Sequence, residues 1–272
     1  MRSSRLAAVL ALTVAAWLFD ATVRNPRRLR VHEVPLRLPD WPADLDGLRV
    51  AIVGDLHAGA PWVDMDRVNA VVDAVVAERP DLVLLLGDHV ADVRFGRHLE
   101  PGPVARALAG LLRAQVPVLG VLGNHDWYAG GWRMRAALEE AGLPVLEEGA
   151  VPVLDGRLWV AGVGDLWERT PSVDAALAGV PDGVPVLLMT HNPDVVAAVP
   201  PRVQLVVAGH THGGQVAFGG RPVHHVSERT GNRWCRGWYP AQRLFVTAGI
   251  GSSLVPLRSV TPEVPILVLG AG

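Results

Sequence analysis

Five times along this chain an apolar, strand-like run ends beside residues able to bind a metal, and that recurrence restricts the fold more than any other feature. The runs are LRVAIVGDLH (48–57), DLVLLLGDH (81–89), VPVLGVLGNHD (116–126), VPVLLMTHNP (184–193) and VQLVVAGHTH (203–212). Runs of Val, Leu and Ile without polar alternation are the mark of strands buried on both faces. Helical patterns lie between several of them. From Asp64 to Arg79, Val68, Val71, Val72, Val75 and Val76 fall on one face of a helix, with Asp64 as N-cap and Pro80 as the stop. Residues 104–115 and 131–141 read as further helices, the latter closed by Gly142. Such alternation predicts an α/β domain, in which ligands gather beyond the carboxyl ends of the strands.

Taken singly, the polar strand ends are ambiguous. Asp55 and His57 suit a turn, Asp88 suits a cap, and a solitary His191 is ordinarily a satisfied core histidine. His210 and His212 share one side of a strand until the following glycines let the chain turn, so one metal and two neighbouring metals both stay open. Asn124, His125 and Asp126 are more specific, since asparagine is a neutral oxygen ligand beside a proton donor. Jointly, five strand ends that finish in Asp, His or Asn exceed what core packing requires. Cys235 is the sole cysteine, which excludes an intramolecular disulfide and a thiolate cluster and leaves nitrogen and oxygen ligands. A formal net charge of −2 argues against a surface built for long nucleic acids. With 272 residues, half of them hydrophobic, the chain suffices for one large domain.

The N-terminus carries a second signal. Arg2 and Arg5 precede the apolar run LAAVLALTVAAWLF (6–19), and Arg24, Arg27, Arg28 and Arg30 follow it. The run is short against the roughly 20 residues of a membrane span, and no clean small-x-small cleavage site marks a signal peptide. An apolar helix beside a basic cluster suits attachment to an anionic bilayer, so membrane lipids are expected partners. The arginine distribution favours the cytoplasmic face, a secreted or anchored extracytoplasmic protein being the alternative. The domain scheme is an anchor or signal-like segment (1–30), a proline-rich linker with an edge strand (31–47) and a catalytic domain (48–272).

The ordered series GDLH, GD, GNHD, THNP and GHTHGGQ closely resembles the calcineurin-like metallophosphoesterases, and in particular their membrane-associated bacterial branch. The resemblance runs from about Arg49 to Leu269 and includes Gly249, Gly251 and the Pro262-Glu263 pair. It implies two packed mixed β-sheets flanked by helices in four layers, with two divalent metals at the strand ends. Carried over residue by residue, it assigns Asp55, His57 and His212 to one metal, Asn124, His191 and His210 to the other, and Asp88 to both. His125 then faces the substrate as the catalytic acid.

Mixed imidazole, amide and carboxylate ligands favour Mn²⁺, Fe²⁺, Zn²⁺ or Co²⁺ over Mg²⁺, with Mn²⁺ preferred. Two such ions outweigh Asp55, Asp88 and a shared hydroxide, leaving a slightly cationic site for phosphate. The expected reaction is hydrolysis of a phosphodiester or pyrophosphate at the membrane by metal-activated hydroxide, on a lipid- or nucleotide-linked substrate. A broad phosphomonoesterase or nuclease and a non-catalytic metal-binding scaffold are the alternatives. One departure concerns the partner that orients His125, for which Asp92 is the candidate. His89 reads as a support, a cleft residue or an exposed one. Asp165 reads as a turn or cap, and Trp127 and Tyr128 as flanks of the cleft. Selectivity is expected in 219–240, with Arg221, His224, His225, Arg229, Arg233, Trp234, Arg236, Trp238 and Tyr239. Composition leaves the oligomeric state open.

Overall fold

The computed structural model describes residues 2–93, 95–218, 221–223, 233–253 and 255–272. Helix α1 (Arg2–Phe19) opens the chain and passes into a π-helical turn, Asp20–Arg24. The strands are β1 (Arg30–Leu38), β2 (Leu48–Val53), β3 (Leu82–Leu85), β4 (Val118–Gly120), β5 (Gly149–Val153), β6 (Leu158–Gly162), β7 (Val186–Met189), β8 (Leu205–Ala208), β9 (Ala217–Phe218), β10 (Arg221–Pro222), β11 (Gly237–Tyr239), β12 (Leu244–Val246) and β13 (Glu263–Ala271). One mixed sheet has the order β1-β13-β2-β3-β4 and the other β11-β12-β8-β7-β6-β5, with β9 and β10 forming a small separate hairpin. In the first sheet β13 runs antiparallel to β2, whereas β2, β3 and β4 are mutually parallel. In the second, β6, β7, β8 and β12 are parallel between antiparallel edges.

The continuous apolar runs now have a reason. Side chains alternate across a strand, so each run supplies two cores. Val50, Ile52, Leu82 and Leu84 meet Val160, Leu187, Met189, Leu205 and Val207 between the sheets. Ala51, Val53, Val83 and Leu85 face outward against the Val68–Val75 face of helix α2 (Met65–Ala77). Val206, Ala208 and Leu188 pack on the opposite outer layer with Val173 and Leu177. The result is helix, sheet, sheet, helix, as the resemblance implied.

Boundaries follow local chemistry. The Asp64 carboxylate accepts the Arg67 N–H at 2.9 Å and caps α2. Helix α3 runs Pro101–Leu108 and continues as a 3-10 turn to Ala114, so it starts three residues earlier than the apolar spacing suggested. Pro101, whose fixed φ suits the first helical position, supplies the start. Helices α4 (Asn124–Tyr128), α5 (Gly131–Glu140) and α6 (Val173–Leu177) complete the set. Pro35 sits on β1, an edge strand that pairs only with β13, where a missing N–H is tolerated.

Helix α1 lies apart from both cores. Leu6, Val9, Leu10, Leu12 and Phe19 are exposed, and Arg5–Arg24 forms a 20-residue stretch long and apolar enough to cross a membrane. The π turn supplies the length that the apolar run by itself lacked.

Candidate metal centre

The chain turns sharply after each parallel strand, and the turns converge. Asp55, His57, Asp88, His210 and His212 all adopt positive φ, between 47° and 70°. Left-handed backbone is uncommon outside glycine and is sustained only where the surroundings enforce it, which occurs most at functional sites. Here the enforcement is visible. The His57 N–H donates to Asp88 O at 2.8 Å, the His210 N–H to Asp55 Oδ1 at 2.8 Å, and the His125 N–H to Asp88 Oδ1 at 2.8 Å. Gly123 before Asn124 and Gly209 before His210 are required by close approach. A Cβ at Gly123 would lie 2.2 Å from Asp88 Oδ1, and one at Gly209 would lie 2.6 Å from Asp55 Oδ2.

Two groups of donor atoms result, and they share one oxygen. In the first, His57 Nε2 is 3.1 Å from His212 Nε2, and His212 Nε2 is 3.6 Å from Asp55 Oδ1. In the second, Asn124 Oδ1 is 3.2 Å from His191 Nε2 and 3.1 Å from His210 Nδ1. Asp88 Oδ2 stands 3.3 Å from His57 Nε2 and 3.3 Å from His191 Nε2. Asp55, His57, Asp88 and His212 each offer a ligand atom within 4.8 Å of the others, and all four are buried. Donors about 2.1 Å from a common ion lie roughly 3.0–3.4 Å apart, so these spacings suit coordination. Asp55 Oδ2, buried without a hydrogen-bond partner, is a further oxygen that a cation would satisfy. The residues therefore fit divalent metal.

Ring orientation is built in. His191 Nδ1–H donates to Leu86 O at 2.8 Å and His212 Nδ1–H to Gly251 O at 3.1 Å, which leaves each Nε2 lone pair facing the site. Electrostatics also call for a cation. Burial pushes Asp55 up to about 6 despite His191 and His57. Asp88 is equally desolvated, yet His191 and His57 hold it well below the carboxylate range. Burial opposes protonation of His191, but the charge and hydrogen bond of Asp88 prevail and push it up to about 10. Burial and His191 bring His210 down to about 3, and burial and His57 hold His212 well below its ordinary value. Metal-free protein thus keeps a proton on His191, where a metal would otherwise supply the charge.

His125 borders this pair, half-buried, with its ring 4.7 Å from that of His57 and 5.4 Å from that of Tyr128. Its Nδ1–H donates at 3.2 Å to Asp92 O. Asp92, the candidate for orienting His125, thus meets it through its main-chain carbonyl rather than its carboxylate. His89 is buried and donates Nδ1–H to Asp126 Oδ2 at 2.9 Å, away from any exposed role. Asp165 caps a turn by accepting the N–H groups of Trp167 and Glu168 at 2.8 and 2.9 Å. Tyr128 is exposed beside His125, whereas Trp127 packs against the helix-side core. In the segment expected to set selectivity, His224, His225 and Arg229 lie outside the described residues. Trp234 is buried in the outer core of the second sheet, and the Arg233 guanidinium sits 4.5 Å over its ring.

Two residues of consequence are not marked by the sequence patterns: Asp126, inside GNHD, and Arg258, the largest fully buried side chain among the described residues, which lies in no motif. A sequence signal existed only for Asp126, as an acid two residues beyond a proposed ligand.

Comparison with known proteins agrees with this geometry. Residues 48–214 match the family model described as Calcineurin-like phosphoesterase. An uncharacterized metallophosphoesterase of Aquifex aeolicus is 30% identical over 249 residues, covering 88% of this chain and 91% of the relative. Phosphodiesterase YaeI of Escherichia coli is 28% identical, covering 81% of this chain and 82% of its own length. A "Transmembrane protein with metallophosphoesterase domain" from Danio rerio is 28% identical over 92% of this chain, which spans 59% of that protein. With a metal-binding cluster at the strand ends and a family match over most of both sheets, this chain belongs to the calcineurin-like phosphoesterases and is a metal-dependent phosphoesterase.

Proposed function

We propose that the protein is a binuclear phosphodiesterase acting at a membrane surface. The observation that carries this reading is the single oxygen, Asp88 Oδ2, standing 3.3 Å from both His57 Nε2 and His191 Nε2. Asp55, His57 and His212 would hold one ion, Asn124, His191 and His210 the other, and Asp88 both. Divalent ions held there, with Mn²⁺ preferred, would lower the pKa of a water and polarise phosphoryl oxygens. The chain does the rest. Burial of the cluster excludes bulk water and strengthens each electrostatic contact. His125, its Nδ1–H tied to Asp92 O, presents Nε2 to the leaving oxygen as proton donor. Burial lowers its pKa, so the imidazolium is a stronger acid than a free histidine and its protonated fraction falls as the pH rises to neutrality.

Preference for a diester rests on similarity to phosphodiesterase YaeI of Escherichia coli. Placement at a membrane rests on helix α1 and on similarity to the Danio rerio transmembrane protein. A lipid- or nucleotide-linked phosphodiester or pyrophosphate is the substrate class in keeping with that position. The test is hydrolysis of an aryl phosphodiester and an aryl phosphomonoester by metal-stripped protein with Mn²⁺ restored. Mn²⁺-dependent cleavage of the diester in preference to the monoester is the expected result. Monoester preference overturns the diester assignment, and turnover without any metal overturns the mechanism.

A further inference from the structure

Arg258 is fully buried, and its guanidinium has no carboxylate within ion-pair distance among the described residues. It binds main-chain carbonyls instead. Nε donates to Val260 O at 2.9 Å, Nη1 to Gly251 O, and Nη2 to Ala248 O and, at 2.9 Å, to Gly249 O. Burial lowers it only to about 10, so it is a cation at neutral pH. Removing a charge from water without a direct ion pair is costly, Asp55 and Glu263 offsetting it only from beyond contact distance, and a site that tolerates the cost gains something from the geometry. Gly251 O also accepts His212 Nδ1–H at 3.1 Å, and Arg258 Nη1 lies 3.2 Å from that same nitrogen. The guanidinium and the imidazole thus converge on one carbonyl, whose direction sets the direction of the His212 ring.

The main chain of Arg258 is in turn held by the foot of the N-terminal helix. Arg258 N–H donates to Ala21 O at 2.8 Å, and buried Asn25 donates from Nδ2 to Arg258 O at 3.0 Å. Thr261 Oγ1–H donates to Asn25 Oδ1 at 3.0 Å and fixes the amide. Sequence explains why these carbonyls are open. In the π turn Asn25 N–H bonds back to Asp20 O at 2.8 Å, and Pro26 has no N–H to offer Ala21 or Thr22. The two orphaned carbonyls are satisfied by the catalytic body, Ala21 O by Arg258 and Thr22 O by Trp62 Nε1–H at 2.8 Å.

We propose that Asn25 and Arg258 are positioning residues for the metal centre, holding Gly251 O and through it the His212 ring, and that the catalytic unit begins at about Asp20. The inference goes beyond the proposed reaction, because it concerns what aims His212 whichever phosphoester is cleaved. It is tested on full-length protein in detergent, stripped of metal and titrated calorimetrically with Mn²⁺. The His212 Nδ1–H resonance is followed by NMR in the metal-free state. Asn25→Ala and Arg258→Lys are expected to weaken Mn²⁺ binding by about 10- to 100-fold. Both are also expected to shift or broaden that resonance.

Mn²⁺ affinity within twofold of wild type in both variants overturns the proposal. So does a lowered melting temperature without change in affinity or resonance, which is the pattern of support for folding alone. If Arg258→Lys does not fold, Asn25→Ala decides, since the guanidinium stays in place. A wild type that binds no Mn²⁺ overturns the metal reading instead. The metal-free resonance then decides this inference alone, and a resonance unmoved in either variant rejects it.

Discussion

Asp126 receives the ring Nδ1–H of His89 on Oδ2 at 2.9 Å and the main-chain N–H of the same residue on Oδ1 at 2.8 Å. Its remaining capacity goes to Val90 N–H at 3.2 Å and Gly123 N–H at 3.0 Å. One buried carboxylate therefore clamps the turn that carries Asp88 to the turn that carries Asn124 and His125. Each donor left unsatisfied in a buried position costs about 1–3 kcal/mol. Asp126→Ala should destabilise the protein by about 3 kcal/mol or more and lower metal content, measured by denaturant unfolding and metal analysis. Asp126→Asn, which keeps the shape, should cost less; equal stability of the alanine variant and wild type would refute the clamp.

Asp88 and His125 should separate cleanly in mutants. Asp88→Ala removes the oxygen common to both donor groups and should empty both positions, read by counting bound Mn²⁺. His125→Ala removes a proton donor that belongs to neither donor group and should keep metal content while lowering kcat by about 10²–10⁴-fold. Two tightly held ions in the Asp88 variant, or full turnover in the His125 variant, contradict these roles.

Metal uptake should release protons. His191 is pushed up to about 10 in the metal-free chain and must lose its proton to bind an ion through Nε2. At pH 7.5 the binding enthalpy should therefore vary with the ionisation enthalpy of the buffer, with a slope near one proton from this group. The same shift has a stability consequence. A folded pKa raised above the unfolded value of about 6.5 adds stability that is fully present below 6.5 and lost as pH rises through about 10. Metal-free protein should lose melting temperature between about pH 6.5 and about 10 from this group, and Mn²⁺-loaded protein should not. A buffer-independent enthalpy speaks against His191 as a ligand.

The anchor and the catalytic body should part at the end of α1. Deleting residues 2–19 removes the exposed apolar helix but keeps Ala21, Thr22 and Asn25. The shortened chain should leave the membrane fraction on cell fractionation and retain its Mn²⁺-dependent melting transition. Persistence in the membrane fraction would show that the helix is not the attachment.

Much of this architecture is legible in linear order. The runs ending at Asp55, Asp88, Asn124, His191 and His210 declared buried parallel strands and the strand ends where chemistry gathers, because burial on both faces demands continuous Val and Leu. Likewise the Val68–Val75 spacing and the Asp64 cap defined α2, since both are contacts within a few residues of chain. Residue types and their order also carried the resemblance on which the division of ligands rests.

Tertiary structure decided what depends on distance between separated segments. That Asp92 meets His125 through its carbonyl, and that His89 turns inward to Asp126, follow from backbone directions that side-chain identity does not encode. Arg258 is the clearest case: on paper it is one more arginine in a loop, and its value arises only where carbonyls from 248–260 and the foot of the N-terminal helix meet around it. A cation held by carbonyls, with no ion pair among the described residues, is defined by its burial, and burial exists only once both sheets have closed.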